Sequence, residues 1–371
     1  MILNKHQFVR ECRRVKLSDI CVKGKSSLRQ KDIANNGPYA VYGASGIIGS
    51  TNSFQNAKPY VAVVKDGAGV GRANACNAKT SVLGTMQALI PKEGVDCRYL
   101  LHLMRSMRLG KNFSGSTIPH IYFRDYGKTL VPFPDMTGQR QIVEVLDVIE
   151  KQKLAATKQI DWLDSLVRSR FVEMFGNPRN NSRRLPVAKL SELGQLERGR
   201  SKHRPRNDPR LLGGPYPLVQ TGDIAKAGLY LTKFNETYSE FGLQQSRLWP
   251  KGTMCITIAA NIAKTAILKF DACFPDSVVG FTPNEKVLDV YMYYWFDFFQ
   301  GVLESQAPQA AQKNINLRIL SNLDVSLPSM AEQKIFADFV AQVDKSRFVA
   351  QQQIEKLQML YDSLAQEYFG E

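Results

Sequence analysis

The densest group of chemically active side chains in the sequence is a run of cations, ERGRSKHRPRNDPR, at positions 197–210. Its basic members are Arg198, Arg200, Lys202, Arg204, Arg206 and Arg210. Arginine and lysine neutralise backbone phosphates and release counterions. A proline-containing stretch with little periodicity is typical of a loop. The run therefore predicts an exposed loop that binds phosphate, and a merely solvated loop is the alternative.

Polar side chains also cluster beside glycine-rich turns, in six segments at positions 42–54, 64–77, 115–121, 219–224, 256–268 and 307–315. Apolar runs such as YVAVV and MCITIA flank several of them, which predicts loops held by a sheet. Such side chains can pair with base edges or phosphates. The candidates for DNA contact are Ser45, Lys65, Arg72, Asn74, Ser116, Thr117, His120, Gln220, Thr221, Asn261, Lys264, Gln312, Lys313 and Asn314, besides five members of the cationic run, Arg198, Arg200, Lys202, Arg204 and Arg206. For any one residue, a turn-forming or solvent-facing role is the alternative.

The sequence contains no local catalytic signature. Glycines at 67–71 follow the spacing G-x-G-x-G, which satisfies neither common phosphate-binding glycine motif. Asn177-Pro178-Arg179 lacks the Asn-Pro-Pro-aromatic loop of an amino-methyltransferase. Glu332 and Lys334 have a nuclease-like Glu-x-Lys spacing, but a glutamate in the first turn of a helix explains Glu332 better. The four histidines match no metal-ligand pattern. We predict no catalytic, cofactor-binding or metal-ligating residue.

One aromatic segment, YMYYWFDFFQ at 291–300, allows two interpretations. Aromatic side chains can stack on bases. A buried helix is favoured here, because the cluster is continuous and has no interleaved Lys or Arg. The segment LLHLMRSMRLG at 100–110 looks like the counterpart of this aromatic segment in the first half of the chain.

Composition and charge limit the class of protein. The 371 residues are 44% hydrophobic and 22% charged, which is ordinary for a globular chain of about two domains, and the net charge of +15 indicates a polyanionic partner. Six scattered cysteines without a C-x-x-C motif favour a reduced compartment. The charged beginning of the chain and the lack of a long apolar run predict a cytoplasmic protein without a membrane span.

An internal repeat organises the chain. Residues 131–177 align without gaps on residues 325–371, and 14 of the 47 positions are identical. In each copy, mostly apolar residues recur in alternating steps of four and three, which predicts a long helix with an apolar seam. The seam positions are Ile142, Leu146, Ile149, Lys153, Ala156, Ile160, Leu163, Val167, Arg170 and Met174 in the first copy, and Phe336, Val340, Val343, Arg347, Ala350, Ile354, Leu357, Tyr361, Leu364 and Tyr368 in the second.

A helix of about 37 residues would be about 55 Å long and needs a partner for its seam. The two copies are each other's obvious partner, and an antiparallel pair would place the preceding segments at opposite ends. Those segments share the frames KLSD/KLSE and GPY/GPY but differ inside. We therefore predict an α+β chain with a pseudo-twofold internal repeat: globular α/β recognition domains at 1–130 and 179–324, and long, antiparallel, coiled-coil-like helices at 131–178 and 325–371.

Charge separates these modules. Residues 1–130 carry 20 Lys and Arg against 7 Asp and Glu, and residues 179–325 carry 19 against 13. The helical segments carry 6 against 7 and 4 against 7. The polyanion is therefore expected on the globular modules and not on the helices.

Taken together, these features resemble the specificity subunit of a Type I restriction-modification system over essentially the whole chain. The resemblance is carried by the repeats beginning VPFPDMTGQRQIV and VSLPSMAEQKIFADFV, each ending in FG and each preceded by a divergent module. The segments GSTIPHI and AQKNINLRILSNL are similar to those that close the target-recognition domains of that family, and SVVGF at 277–281 looks like a further family stretch.

The resemblance implies two target-recognition domains, each reading one half of a bipartite site in double-stranded DNA, with paired helices setting the spacer. It also implies two modification subunits that bring S-adenosylmethionine and restriction subunits that use ATP, so this chain would bind neither cofactor. The isolated chain could self-associate through exposed apolar positions.

Three other functions are alternatives to this interpretation. A non-catalytic DNA-binding or scaffold protein would use the same modules without a methyltransferase. A self-contained nuclease or methyltransferase would need motifs that are missing. An RNA-binding module would be expected to carry an aromatic RNP-like motif, which the sequence lacks.

Overall fold

The computed structural model describes residues 12–111, 119–259, 262–306 and 315–370. Within them, the helices are α1 (Leu17–Ile20), α2 (Cys97–Ser106), α3 (Phe123–Tyr126), α4 (Met136–Phe175), α5 (Thr221–Ala227), α6 (Glu240–Gln244), α7 (Asp289–Gln306), α8 (Leu317–Ser321) and α9 (Met330–Phe369). No helix of the described residues is both long enough and apolar enough to cross a membrane.

The strands of the first half of the chain are β1 (Arg14–Lys16), β2 (Cys21–Lys23), β3 (Tyr39–Gly43), β4 (Gly46–Thr51), β5 (Tyr60–Val64), β6 (Ala73–Cys76), β7 (Ser81–Val82), β8 (Met86–Pro91) and β9 (Leu130–Pro132). They form sheets with the orders β2-β8-β5-β6, β4-β3-β7 and β1-β9. β5, the predicted YVAVV strand, is entirely buried and pairs antiparallel with both β6 and β8, as expected of an apolar run inside a sheet.

The strands of the second half are β10 (Val187–Lys189), β11 (Gly194–Arg198), β12 (Leu212–Leu218), β13 (Tyr230–Leu231), β14 (Glu236–Tyr238), β15 (Leu248–Trp249), β16 (Met254–Thr257), β17 (Thr265–Leu268), β18 (Ala272–Cys273), β19 (Val278–Pro283) and β20 (Asp324–Ser326). Their sheets have the orders β11-β19-β16-β17-β13, β14-β12-β18-β15 and β10-β20. The predicted MCITIA strand is the buried β16, between β19 and β17.

The repeats form two helices of 40 residues each, α4 and α9, slightly longer than the sequence predicts. All the predicted seam positions of both helices are buried or partly buried. The basic seam residues are held by polar contacts: Lys153 donates to the side-chain oxygens of Glu150 and Gln358, and Arg347 pairs with Asp344 and Asp164. The seam prediction is therefore confirmed position by position.

The chain divides into two compact units, and each long helix contributes to both. The first unit contains residues 1–158 and 350–371, and its core joins the first half of α4 and the end of α9 to the sheet of β5. The second unit contains residues 159–349, and its core joins the end of α4 and the start of α9 to the sheet of β16. The long helices are therefore built into the cores of the globular parts.

The two units share a hydrogen-bond frame that the repeat encodes. Gln139 is fully buried, accepts from the backbone N–H of Asp96 at 2.8 Å and donates to two carbonyls. Gln333 does the same in the second unit, accepting from Leu288 N–H at 2.8 Å. Each glutamine thus satisfies backbone groups that would otherwise be buried without a partner.

The aromatic segment at 291–300 lies in α7, and its side chains are largely buried. Phe171 of α4 and Phe336 of α9 pack with Tyr291 in one aromatic cluster. Aromatic pairs of this kind contribute about 0.5–1.5 kcal/mol each beyond their buried area. The prediction of a buried helix is confirmed.

The counterpart helix α2 carries a polar face that contacts both long helices. His102 is fully buried; its Nε2 lies 2.8 Å from an Asp147 carboxylate oxygen and its Nδ1 lies 2.8 Å from the Tyr361 hydroxyl. Arg98 also donates to Asp147. The positive charge of Arg105 is close enough to contribute to lowering the pKa of His102. This network ties α2 to α4 and α9 within the first unit.

The network predicts that acid destabilises the first unit. Burial lowers the pKa of His102 below its ordinary value of 6.5. Burial alone would raise the pKa of Asp147, but hydrogen bonds from Arg98 and His102 outweigh it and lower that pKa. Because the unfolded histidine takes up a proton at higher pH than the folded one, the stabilisation from neutral His102 is present above pH 6.5 and is lost as the pH falls through the folded pKa.

We expect the melting temperature of the chain to fall between about pH 7.5 and about pH 5.5, and to fall less in the variant His102→Asn, which keeps hydrogen-bonding groups but does not titrate there. Thermal unfolding followed by circular dichroism at both pH values measures the difference. Equal pH dependence of the two proteins would contradict this account.

Candidate nucleic-acid interface

In the second unit, the cationic run and Lys264 lie at the same end of the strands of the central sheet. Gly199 N–H donates to the Val278 carbonyl at 2.8 Å, Val278 is the pairing partner of Thr257, and Thr257 N–H donates to the Lys264 carbonyl at 2.9 Å. These four residues lie in one row: Val278 and Thr257 belong to β19 and β16, Gly199 directly follows β11, and Lys264 directly precedes β17. At about 4.8 Å per strand, the row spans about 14 Å.

The closing segment of the second unit, described from Ile315 onward, lies at the same end of the strands. Ile258 N–H donates to the Ser277 carbonyl and Ile315 N–H donates to the Ile258 carbonyl, both at 3.0 Å. The residues at 312–314 directly precede Ile315. The candidates Gln312, Lys313 and Asn314, and also Asn261, lie outside the described residues.

The cationic run forms an exposed segment, as predicted, except that Arg198 ends strand β11. Asp276 anchors the segment: its carboxylate pairs with Arg206 and lies 3.7 Å from Arg204, and its backbone carbonyl accepts from Arg198. Arg200 and Lys202 are exposed and form no ion pair within the described residues.

A second carboxylate, Asp208, neutralises the end of the run. Arg210 lies 2.8 Å from it, and hydrogen bonds from Arg210 hold the pKa of Asp208 well below its usual range. His203 Nε2 lies 2.8 Å from the same carboxylate. The run therefore keeps more cations than local anions, which suits a phosphate backbone.

Gln220 and Thr221 differ from the loop that the sequence predicts. Gln220 is the residue before helix α5, and Thr221 begins that helix. The exposed Gln220 side chain donates to Glu236 at 3.1 Å. The capping arrangement, in which the Asp223 carboxylate accepts from Gln220 N–H at 2.9 Å, explains why a helix starts here.

The first unit repeats the arrangement at the end of β5. Ile121 N–H donates to the Lys65 carbonyl at 3.0 Å, which matches the bond from Ile315 to Ile258 in the second unit. His120 Nδ1 contacts the Asp66 carboxylate, and the centroid of its ring lies 4.0 Å from that of the Tyr122 ring. The closing segment is therefore fastened beside Lys65. Ser116 and Thr117 lie outside the described residues.

The other first-unit candidates meet around one turn. Ser45 is exposed in the turn between β3 and β4, and Asn74 Nδ2 donates to the neighbouring Ala44 carbonyl at 3.4 Å. Asn74 lies in strand β6 and not in a loop, since the glycine-rich turn is shorter than predicted. Arg72 is exposed just before this strand. The structure thus gathers Ser45, Arg72 and Asn74 in one place.

Sequence reasoning missed the cations of α2 and the turn after it. Arg105, Arg108 and Lys111 lie beside Arg72 and Asn74 around one depression. These three cations recur at every third position, which could have indicated a shared basic surface. The same spacing is also found on the polar face of any amphipathic helix. Within the described residues, no three His, Cys, Asp or Glu side chains are grouped as a metal site would require.

The chain is similar to known proteins of one family. A family model described as Type I restriction modification DNA specificity domain matches residues 10–161 and 186–359. The putative type I restriction enzyme MjaX specificity subunit of Methanocaldococcus jannaschii is 20% identical over 277 residues, which cover 68% of this chain and 62% of that protein. The EcoBI specificity subunit of Escherichia coli is 24% identical over 254 residues, which cover 61% of this chain and 53% of that protein. The matches thus span less than two thirds of these relatives.

Solved structures agree on the fold. The crystal structure of a Type-I restriction-modification system S subunit from M. genitalium superposes with a TM-score of 0.57 at 15% identity, covering 99% of both chains. A chain from a structural study of complex assembly and conformational transition in the type I R-M system gives a TM-score of 0.55 at 15% identity, covering 96% of this chain and 97% of that one. Because the family model accounts for most of the residues in two successive matches, the chain belongs to the family of Type I restriction modification DNA specificity domains.

Proposed function

We propose that this chain is the non-catalytic DNA-specificity subunit of a cytoplasmic type I restriction-modification complex. The observation that carries the proposal is that, in both units, exposed basic side chains lie at the end of the central sheet where the closing segment is hydrogen-bonded to the backbone directly after the central strand. Family membership of both halves supports it. A phosphate backbone and base edges are the ligands that such side chains recognise.

In this proposal each unit reads one half of a bipartite, asymmetric DNA site. The cationic run in the second unit and Arg72 in the first position the backbone, and polar side chains near Ser45 and Lys264 discriminate bases. The common frame of the two units, with different interiors, supports two similar modules that recognise different sequences. The paired helices α4 and α9 set the length of the unread spacer.

The long helices also carry the docking surface for partner subunits. Trp162 and Leu166 of α4, and Phe348 and Val349 of α9, are exposed apolar side chains, and Trp162 is 72% exposed. Apolar side chains concentrated on a surface favour burial against another protein. Two modification subunits dock here and supply S-adenosylmethionine, and restriction subunits supply the ATP-dependent activity. This chain itself binds neither cofactor.

Methylation mapping tests the proposal. The chain is expressed with its neighbouring modification subunit, and single-molecule sequencing of the host DNA locates methylated adenines; the control is the same host without the chain. We expect a bipartite motif that appears only when the chain is present. An active modification subunit that forms a stable complex with the chain but gives no new motif would instead favour a DNA-binding scaffold.

A further inference from the structure

A basic depression of about 480 Å³ opens on the surface of the first unit. Four cationic side chains line it, together with Asn74 and small or apolar neighbours. The cations are Arg72, Arg105, Arg108 and Lys111. The depression is shallow and open, so it suits an extended ligand that presents a charged group and not an enclosed small molecule.

Two glycines make this geometry. Gly71 has a φ of +84°, and a Cβ atom placed on it would lie 2.3 Å from the backbone nitrogen of Gly110. A Cβ atom on Gly110 would lie 2.5 Å from the Val70 carbonyl oxygen. Only residues without a side chain allow this approach. It brings the segment that carries Arg72 against the turn that carries Lys111.

The charges around the depression do not cancel. Arg105 lies 3.1 Å from Glu150 of α4 and Arg108 lies 3.3 Å from Asp362 of α9, so both are positioned by carboxylates of the long helices. Arg72 and Lys111 are exposed, and neither forms an ion pair within the described residues. The depression is therefore lined by two guanidinium groups that are positioned by ion pairs and by two cations that have no ion-pair partner among the described residues.

One of the four cations of the depression is not part of the repeated frame. The hydroxyl of Tyr99 donates to the Pro132 carbonyl as that of Tyr291 donates to the Ser326 carbonyl, which aligns α2 with α7 at an offset of 192. At this offset Arg105 corresponds to Asp297, a carboxylate. The second unit thus has an anion where the first has a cation.

We propose that this depression binds a phosphodiester group of the DNA backbone, next to the turn that carries Ser45. The inference rests on the proposed function, because it assigns a phosphate contact to the half-site that the first unit reads. Arg72 and Lys111 supply the uncompensated charge, and Arg105 and Arg108 supply preorganised donors. Such a contact fixes the register of the duplex on the unit and is independent of base sequence.

The test uses the full chain and a mixed-sequence duplex of about 30 base pairs, with affinity measured by fluorescence anisotropy over a salt series. In the variant Arg72→Ala/Lys111→Ala, we expect at least a tenfold loss of affinity at low salt (~1.4 kcal/mol) and a salt slope shallower by about 0.9 to 1.8. The charge-conserving variant Arg72→Lys/Lys111→Arg is expected to keep the wild-type slope.

The matched control is Lys151→Ala/Lys158→Ala, which removes two exposed cations from α4, outside the depression. If its salt slope falls as much as that of Arg72→Ala/Lys111→Ala, the phosphate site is refuted, since net charge alone would explain both. A wild-type slope in Arg72→Ala/Lys111→Ala would refute it too, while duplex binding by the wild type leaves the proposed function standing. Failure of the wild type to bind any duplex would overturn both.

Discussion

Replacing Arg200, Lys202, Arg204 and Arg206 with alanine is expected to weaken DNA binding for every sequence and to flatten its salt dependence. Each phosphate contact contributes about 0.9 to the slope of log K against log salt, so the loss of four contacts lowers the slope by as much as about 3.6. At moderate salt we expect an affinity loss of about 10²- to 10³-fold. Fluorescence anisotropy on matched and unrelated duplexes over a salt series measures both quantities.

The structure explains why this effect is large. Asp276 is one carboxylate shared between Arg204 and Arg206, and Arg200 and Lys202 have no anionic partner among the described residues. The segment therefore keeps positive charge that a phosphate can neutralise. The single variant Asp276→Asn removes the local anion and is expected to act in the opposite direction, with tighter and less selective binding.

The control for the fourfold variant removes the same charge elsewhere. Lys151, Lys158, Lys345 and Lys356 are all exposed on the long helices. Their replacement by alanine is expected to leave the salt slope nearly unchanged, because α4 and α9 lie outside the proposed contact surface. An unchanged slope in the Arg200/Lys202/Arg204/Arg206 variant would refute phosphate binding by the cationic segment.

Lengthening both long helices by one turn is expected to change the recognised spacer and to leave both half-sites intact. Four residues inserted between Lys158 and Gln159, and four between Val349 and Ala350, fall at the boundary of the two units, so neither core is interrupted. One turn adds about 5.4 Å, which corresponds to one or two base pairs at about 3.4 Å each. Methylation mapping in the presence of the modification subunit determines the new motif.

An insertion in only one helix is the informative comparison. It adds a turn that has no counterpart in the other helix and shifts the apolar seam, so we expect a lower melting temperature and loss of methylation at any motif. If the double insertion changed the bases of a half-site, the division of labour between units and helices would be wrong.

Much of the scaffold follows from local sequence pattern. The steps of four and three that include Ile142 and Leu146 predict the buried seam, and these side chains are buried in the structure. The identity of Gln139 and Gln333 within the repeat marks an equivalent role. The sequence did not indicate what that role is, because two of the three backbone groups that each glutamine satisfies lie more than 40 residues away.

The candidate site was predicted less completely. The cationic segment and the neighbourhood of Lys65 follow from composition and from strand-like flanks. Asn74 is part of a strand and Thr221 of a helix, because short turns and caps depend on a few hydrogen bonds that hydrophobic pattern does not encode. Arg105 and Arg108 resembled an ordinary polar helix face.

The sequence by itself determined the internal repeat, the helical seams and the separation of charge between modules, because periodicity and composition are properties of neighbouring residues. Only the tertiary structure decided that half of each long helix belongs to each core, that Gly199 and Lys264 share one row of a sheet, and that Arg72 meets Lys111. These juxtapositions depend on strand pairing and close backbone packing between residues that are distant in the chain, and no local pattern records them.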